Sequence, residues 1–150
     1  MAGAAVGGYN AVVARTTEFL ASTTLSVTIE ADPSAVYDLV SHPEHLPRWA
    51  TTFVRGIRQA GDQWVLDTPY GPHTLRLAPR NAFGVLDHYV GPPDRPEVYV
   101  PMRVVPNGGG SEVFFTLFRQ PGMTDAQYAA DRALVRQDLD SLKRVMEGNA

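Results

Sequence analysis

Apolar and polar residues alternate along the segment TTLSVTIEA, which predicts a β-strand with one face against a core. Every second residue from Leu25 to Ile29 is apolar, whereas hydroxyl and carboxylate side chains fall between them. Asp32 then stands at an N-cap position directly before Pro33, a combination that favours the start of a helix. A second start signal in SHPEHLPRW predicts another short helix, which Pro47 limits to about two turns. The predicted elements are a strand at 23–30, a helix at 33–41 and a helix within 41–49.

The block from residue 52 to residue 119 has a different pattern. Short runs of β-branched and apolar residues are separated by clusters of Gly, Pro, Asn and Asp about every ten residues, which is typical of a meander of antiparallel strands. The predicted strands lie at about 52–59, 63–69, 72–79, 83–91, 97–105 and 112–120. Together with the first strand they make a predicted sheet of seven.

The tail from residue 124 to residue 147 has the strongest helical periodicity in the chain. Thr124 and Gln127 have the spacing of a capping box, and apolar residues recur at intervals of three, four and seven from Tyr128 to Met146. A helix of this length is about 35 Å long, so it must cross several strands. The sheet offers the large apolar surface that the apolar stripe of this helix needs, and residues such as Asp131 and Asp138 are assigned to its polar positions.

This order of elements resembles the helix-grip fold of the START and birch-pollen-allergen (SRPBCC) superfamily, whose small stand-alone members are polyketide-cyclase-like or lipid-transport-like. The resemblance covers about residues 23–147 and rests on TLSVTIEADPSAVYDLVSHPEHLPRWA at 24–50, VVPNGGGSEVFFTLFR at 104–119 and the helix that follows. It implies an α+β fold in which a curved seven-stranded antiparallel sheet wraps around the long C-terminal helix. It also implies a cavity between sheet and helix for an apolar or amphipathic small molecule, but no single chemistry.

Length and composition add limits to this interpretation. The chain has 150 residues, of which 44% are hydrophobic and 19% charged, as in an ordinary globular domain. We predict one ligand-binding domain at 23–148 after a flexible leader at 1–22. A net charge of −3 does not favour a nucleic-acid partner, and no apolar run approaches the roughly 20 residues of a membrane span.

Several kinds of chemistry lack their usual motifs. The chain has no cysteine, which excludes disulfides, thiolate nucleophiles and Cys-built metal clusters and suits a cytoplasmic location. It has no G-x-S-x-G elbow, Walker loop or G-x-G-x-x-G, and the triple glycine at 108–110 falls in a hairpin turn. His42 and His45 are three residues apart but form no metal-binding motif. We therefore predict no metal and no cofactor.

The alternation along the predicted strands indicates which side chains face the cavity. His73 follows a turn at the expected mouth of this cavity, and two tyrosines could offer hydroxyl groups to a ligand carbonyl. The residues predicted to bind the ligand are Trp64, Leu66, Tyr70, His73, Leu75, Tyr99, Val100, Met102, Phe115, Tyr128, Val135 and Leu139.

Candidate catalytic residues occur in the segment FGVLDHYV, where Asp87 and His88 fall on opposite faces. One of the two is predicted to point into the cavity, where an apolar environment disfavours its charged form, as in tuned acids and bases. The resemblance, together with these candidate residues, leaves three functions open. The first is binding of a hydrophobic or amphipathic small molecule, the second is cyclase or dehydratase chemistry on a polyketide-like or aromatic carbonyl substrate, and the third is protein interaction with a filled cavity.

Two aromatic residues, Phe114 and Phe118, fall on the predicted outer face of the last strand. Exposed aromatic side chains there indicate cover by the leader or a contact in a homodimer. A bulge that shifts the register would instead turn both inward.

Overall fold

The computed structural model describes residues 18–148, so the predicted leader lies outside the described residues except at its end. The helices are α1 (Pro33–Val40), α2 (Leu46–Trp49), which follows a 3-10 turn at Pro43–His45, and α3 (Asp125–Met146). The strands are β1 (Ser22–Ile29), β2 (Gly56–Ala60), β3 (Gln63–Thr68), β4 (Gly71–Leu77), β5 (His88–Gly91), β6 (Val98–Val100), β7 (Met102–Asn107) and β8 (Gly110–Phe118).

Two of the three predicted helix starts are confirmed by side-chain caps, whereas the start predicted in SHPEHLPRW has no side-chain cap. The Asp32 carboxylate accepts a hydrogen bond from the Ser34 N–H at the start of α1. At α3 the Thr124 hydroxyl accepts from the Gln127 N–H, and the Gln127 side chain accepts from the Thr124 N–H, which completes the capping box.

The architecture is α+β, with the long C-terminal helix packed against antiparallel sheets, as predicted. One sheet has the order β1-β8-β7 and the other has the order β2-β3-β4-β5-β6. The buried core between helices and sheets includes Ile29 of β1, Val36 of α1, Val113 of β8 and Leu139 of α3.

The prediction of seven strands in one sheet was wrong, since eight strands in two sheets form within residues 18–148. The predicted strand at 97–105 is divided at Pro101, which has no N–H for a sheet ladder. The Pro101 carbonyl accepts from Thr116 N at 2.9 Å, whereas Met102 N donates to the Asp87 carboxylate at 2.9 Å. The chain therefore pairs with β5 before Pro101 and with β8 after it.

The predicted strand at 83–91 is also shorter in the structure, because β5 begins only at His88. The preceding loop is organised by Asn81, whose side-chain oxygen accepts from Phe83 N and Val85 N. Its amide also donates to the Val85 carbonyl at 2.9 Å. These local bonds replace the strand ladder that the alternation of residues predicted.

The open edge of β1 is covered by side chains of α3. Arg136 donates to the Ser26 carbonyl at 2.9 Å and Lys143 donates to the Thr28 carbonyl at 2.8 Å. Glu30 N donates to the Glu147 carboxylate at 2.8 Å. These contacts satisfy polar backbone groups at the sheet edge and hold α3 along β1.

Candidate functional site

A cavity of about 380 Å³ lies between the sheets and α3, and the segment around α2 closes one side of it. This volume is at the small end of the range for small-molecule sites, roughly 300–1,000 Å³. Its walls are mainly apolar and include Trp49, Phe53, Leu66, Leu75, Val90, Val98, Val100, Phe115, Leu117, Val135 and Leu139.

The structure brings most of the predicted ligand-binding residues to this cavity. The predicted residues that line it are Leu66, Tyr70, His73, Leu75, Val100, Phe115, Val135 and Leu139. Tyr70 is 74% exposed, so it lies at the mouth of the cavity and not in its interior. The others lie on β3, β4, β6, β8 and α3, on faces that the sequence pattern predicted to point inward.

Two predicted residues lie outside the cavity because of their position along a strand. Trp64 follows the β2–β3 turn and is half-buried against the core. Met102 is almost fully buried in the core, beyond the break at Pro101. Both are core residues and not part of the cavity wall.

Tyr99 and Tyr128 also lie outside the cavity, since each hydroxyl has a structural partner. The alternation that turns Val98 and Val100 to the cavity turns Tyr99 away, and its hydroxyl donates to the Asp87 carboxylate at 3.0 Å. Tyr128 lies in the first turn of α3, and its hydroxyl donates to the carbonyl of Leu117 on β8 at 2.8 Å. Both tyrosines therefore join elements of the fold.

Asp87 does not line the cavity. Its carboxylate accepts from Met102 N at 2.9 Å and from the Tyr99 hydroxyl at 3.0 Å. These bonds satisfy the backbone at the point where the chain changes from β6 to β7. The geometry gives Asp87 a role in the fold and not at the cavity.

His88, in contrast, lines the cavity. Its Nδ1 lies 3.0 Å from the Leu86 carbonyl oxygen, and its ring meets Phe115 edge to face. A carbonyl oxygen only accepts, so Nδ1 carries the proton of the neutral ring and Nε2 is left as an acceptor. Burial lowers the pKa of His88 below 6.5, although the bond to Leu86 and the charge of Asp87 oppose this shift.

His73 on β4 has a similar arrangement. It is only 9% exposed, and its Nδ1 lies 3.2 Å from the Gly71 carbonyl oxygen. Its ring and the ring of Phe53 are nearly perpendicular, with 5.1 Å between ring centroids. Its Nδ1 is therefore the donor nitrogen of the neutral ring, like that of His88.

The cavity also contains two carboxylates that the sequence interpretation assigned to the polar positions of the helix. Asp131 and Asp138 both lie on the cavity face of α3. Burial raises the pKa of each, and in Asp138 hydrogen bonds from Thr52 oppose the shift. Their spacing could have revealed this, because Asp131 is four residues before Val135 and Asp138 is three residues after it.

Trp49, at the end of α2, is both a core residue and part of the cavity wall. It is 5% exposed, and its Nε1 has no hydrogen-bond partner among residues 18–148. The neighbouring segment, with Thr52 and Phe53, was predicted as strand, so its place in the cavity wall was missed.

Within residues 18–148, no group of three or more His, Asp or Glu side chains is arranged to hold a metal ion. The rings of His42 and His45 are 6.0 Å apart, and His42 Nδ1 lies 2.6 Å from the Asp38 carbonyl oxygen. In the same part of the chain, no helix is long and apolar enough to cross a membrane.

The two aromatic residues that were predicted on the outer face of β8 have different environments. Phe114 is 37% exposed, whereas Phe118 lines the cavity and stacks with Tyr99 at 6.5 Å between centroids. Of the two aromatic residues on which the predicted dimer contact was based, only Phe114 is therefore exposed on β8.

Comparison with solved structures identifies the fold. The protein XoxI from Bacillus cereus matches with a TM-score of 0.69 and 18% identity, over 85% of this chain and 96% of its own. The Aha1 dimer from Colwellia psychrerythraea matches with a TM-score of 0.68 and 15% identity, over 87% and 98% of the two chains. A START superfamily protein from Mycobacterium smegmatis matches with a TM-score of 0.66 and 14% identity, over 86% and 99%.

No family model matches the sequence, and no curated protein matches it either. At these identities the structural likeness shows the fold alone. The chain has the START-like helix-grip fold that its sequence resembled, with a cavity between the sheets and the long helix.

Proposed function

We propose that this protein binds a hydrophobic or amphipathic small molecule in the cavity between its sheets and α3. The observation that carries the proposal is the cavity itself, about 380 Å³ in volume and mainly apolar, with a few polar side chains. Apolar walls supply most of the binding free energy of such a site, and a few polar groups orient the ligand. The resemblance to the START superfamily supports the same function.

A second candidate function is an enzyme of the cyclase or dehydratase type. The observation that favours it is the buried imidazole of His88, whose Nε2 is left as a potential proton acceptor in the cavity. Asp87 is bound to Met102 N and to Tyr99, so His88 is the better candidate of the two. An enzyme of this type would bind its aromatic carbonyl substrate in the same cavity before the reaction.

The third hypothesis, protein interaction with a filled cavity, has less support, because the cavity is open. A homodimer and a cytoplasmic location stay predictions. Phe114 is the exposed residue of β8 on which a dimer contact would depend.

Native mass spectrometry of the purified protein, before and after organic extraction, tests the binding proposal. We expect a co-purifying small molecule, or saturable binding of the neutral fluorescent probe N-phenyl-1-naphthylamine after extraction. The same spectra record the number of subunits.

Val135→Trp places a large side chain in the cavity and should reduce binding of the probe, because Val135 lines the cavity on α3. Ala133→Trp is the matched control, since Ala133 is exposed on the same helix. A protein that carries no small molecule and does not bind the probe would contradict the proposal.

A further inference from the structure

Four polar side chains of the cavity, His73, His88, Asp131 and Asp138, present hydrogen-bond acceptors, whereas Trp49, Tyr70 and Gln120 of the same lining carry donors. His88 and His73 each place Nδ1 against a backbone carbonyl oxygen, at 3.0 Å from Leu86 and 3.2 Å from Gly71. Each neutral ring carries one N–H, which is used in this bond. Nε2 is the remaining polar atom of each ring, and it is an acceptor.

The acids of α3 add to this acceptor character. Asp138 accepts from Thr52 N at 3.1 Å and from the Thr52 hydroxyl at 2.8 Å. Asp131 forms no hydrogen bond or ion pair with any residue of the described chain, although it lines the same cavity. An occupant of the cavity therefore meets carboxylate oxygens on the helix side and imidazole Nε2 atoms on the sheet side.

Among residues 18–148, no Lys or Arg side chain lines the cavity. Two of the cations on α3 have other partners: Arg136 binds the Ser26 carbonyl, and Lys143 binds Glu147 and the Thr28 carbonyl. A carboxylate or phosphate in this cavity would lose its hydration without gaining a cation, and it would lie near Asp131 and Asp138. Burial of an unpaired charge is strongly unfavourable.

We propose that the cavity selects uncharged, hydroxylated apolar molecules over carboxylates and phosphates, and that His88 Nε2 accepts the hydrogen bond of the ligand hydroxyl. This inference rests on the proposed binding function and names its ligand class. His88 is then the residue that determines specificity, because it lies inside the cavity with its Nε2 turned away from the Leu86 carbonyl.

The ligand class also explains why imidazole and carboxylate acceptors lie in a mainly apolar wall. A site that only packs apolar surface would favour a methoxy group over a hydroxyl, because the buried hydroxyl would lose its hydrogen bond to water. A buried acceptor reverses this preference, since the methoxy analogue has no donor and leaves that acceptor without its partner.

The test is competition against N-phenyl-1-naphthylamine by three matched compounds: 2-naphthol, 2-methoxynaphthalene and 2-naphthoate. At about pH 7 the phenol is neutral and the carboxylate is ionised. We expect 2-naphthol to displace the probe at concentrations about tenfold or more below those of the other two, a preference typical of one buried hydrogen bond.

Replacement of His88 separates a specific hydrogen bond from general packing. His88→Phe keeps an aromatic ring, and we expect it to bring the ratio between 2-naphthol and 2-methoxynaphthalene close to one. His88→Gln restores a side-chain acceptor and should restore part of the ratio. His42→Phe is the matched control, because His42 is exposed and does not line the cavity.

The outcomes distinguish the two proposals. If the fluorescent probe does not bind at all, the binding function and this inference both fail. If the probe binds and 2-naphthoate displaces it as well as 2-naphthol does, the binding function stands and the inference is overturned. An unchanged preference in His88→Phe would overturn the assignment of His88.

Discussion

The carboxylate of Asp138 on α3 accepts two hydrogen bonds from Thr52, one from its N–H at 3.1 Å and one from its hydroxyl at 2.8 Å. Thr52 lies in the segment that follows α2 and lines the cavity, so this pair attaches one cavity wall to the long helix. Asp138 is 9% exposed, which makes the pair a largely buried contact.

Asp138→Ala should lower the free energy of unfolding by about 1–3 kcal/mol, because the Thr52 N–H and hydroxyl lose their acceptor in a partly buried site. Asp138→Asn keeps one acceptor oxygen and should cost less. Urea unfolding followed by circular dichroism measures both values. Equal stability of Asp138→Ala and the wild type would show that the pair does not hold the wall.

Asp87 provides a second stability prediction, since it accepts from both Met102 N and the Tyr99 hydroxyl. Asp87→Ala leaves the Met102 N–H without its partner and should lower the free energy of unfolding by about 1–3 kcal/mol. Tyr99→Phe removes one of the two bonds and should cost about 1 kcal/mol.

The binding assay distinguishes this structural role of Asp87 from a role in the site. Asp87→Ala should bind N-phenyl-1-naphthylamine with little change in affinity while it is folded, because Asp87 does not line the cavity. A variant of normal stability that no longer binds the probe would contradict the structural role.

Local patterns predicted the parts of the fold that depend on local contacts. The alternation from Leu25 to Ile29 and the Thr124–Gln127 capping box correspond to β1 and to the start of α3. The prediction of one continuous strand failed at Pro101, which is visible in the sequence and has no N–H for a sheet ladder. The acceptor that satisfies Met102 N after the break is the distant Asp87, which no periodicity in the sequence reveals.

The candidate site was predicted less completely than the fold. Strand alternation predicted His73 and Phe115 on the face that lines the cavity. It could not decide between Asp87 and His88, because each face of that predicted strand has one ionisable residue. Asp131 was assigned to the polar side of α3, since a carboxylate is usually solvated. A carboxylate that lines a cavity is an exception, because the cavity wall is shielded from bulk solvent without being part of the packed core.

Two glycines with similar backbone angles allow a third prediction. Gly84 has φ +70, and a Cβ there would lie 2.1 Å from the Val104 carbonyl oxygen. Gly108 has φ +53, and a Cβ there would have no atom within 4 Å beyond its chain neighbours. Both substitutions to alanine strain the backbone, but only Gly84→Ala also forces apart the loop and β7.

Gly84→Ala should therefore lower the free energy of unfolding by at least about 2 kcal/mol, whereas Gly108→Ala should cost about 1 kcal/mol. Thermal unfolding of both variants in the same buffer measures the difference. Equal losses would mean that the contact with Val104 relaxes without cost.

The buried imidazole of His88 gives the protein a pH dependence of known sign. Burial lowers the pKa of His88 in the folded state below the 6.5 of an unperturbed histidine. Between the lowered pKa and 6.5 the unfolded chain binds more protons at this position than the folded protein. The stability that His88 contributes is therefore fully present above pH 6.5. It decreases as the pH falls through the range between 6.5 and the lowered pKa, and it does not change further below that pKa.

His88→Phe removes this dependence, because phenylalanine does not titrate, while the other histidines are unchanged. The free energy of unfolding of the wild type, measured relative to His88→Phe, should decrease as the pH falls from about 7.5 to about 5. Urea unfolding at intervals over that range provides the measurement. If the wild-type and His88→Phe curves were parallel instead, the imidazole of His88 would have the same pKa in the folded and unfolded states, and its burial at the cavity would have no effect on its charge.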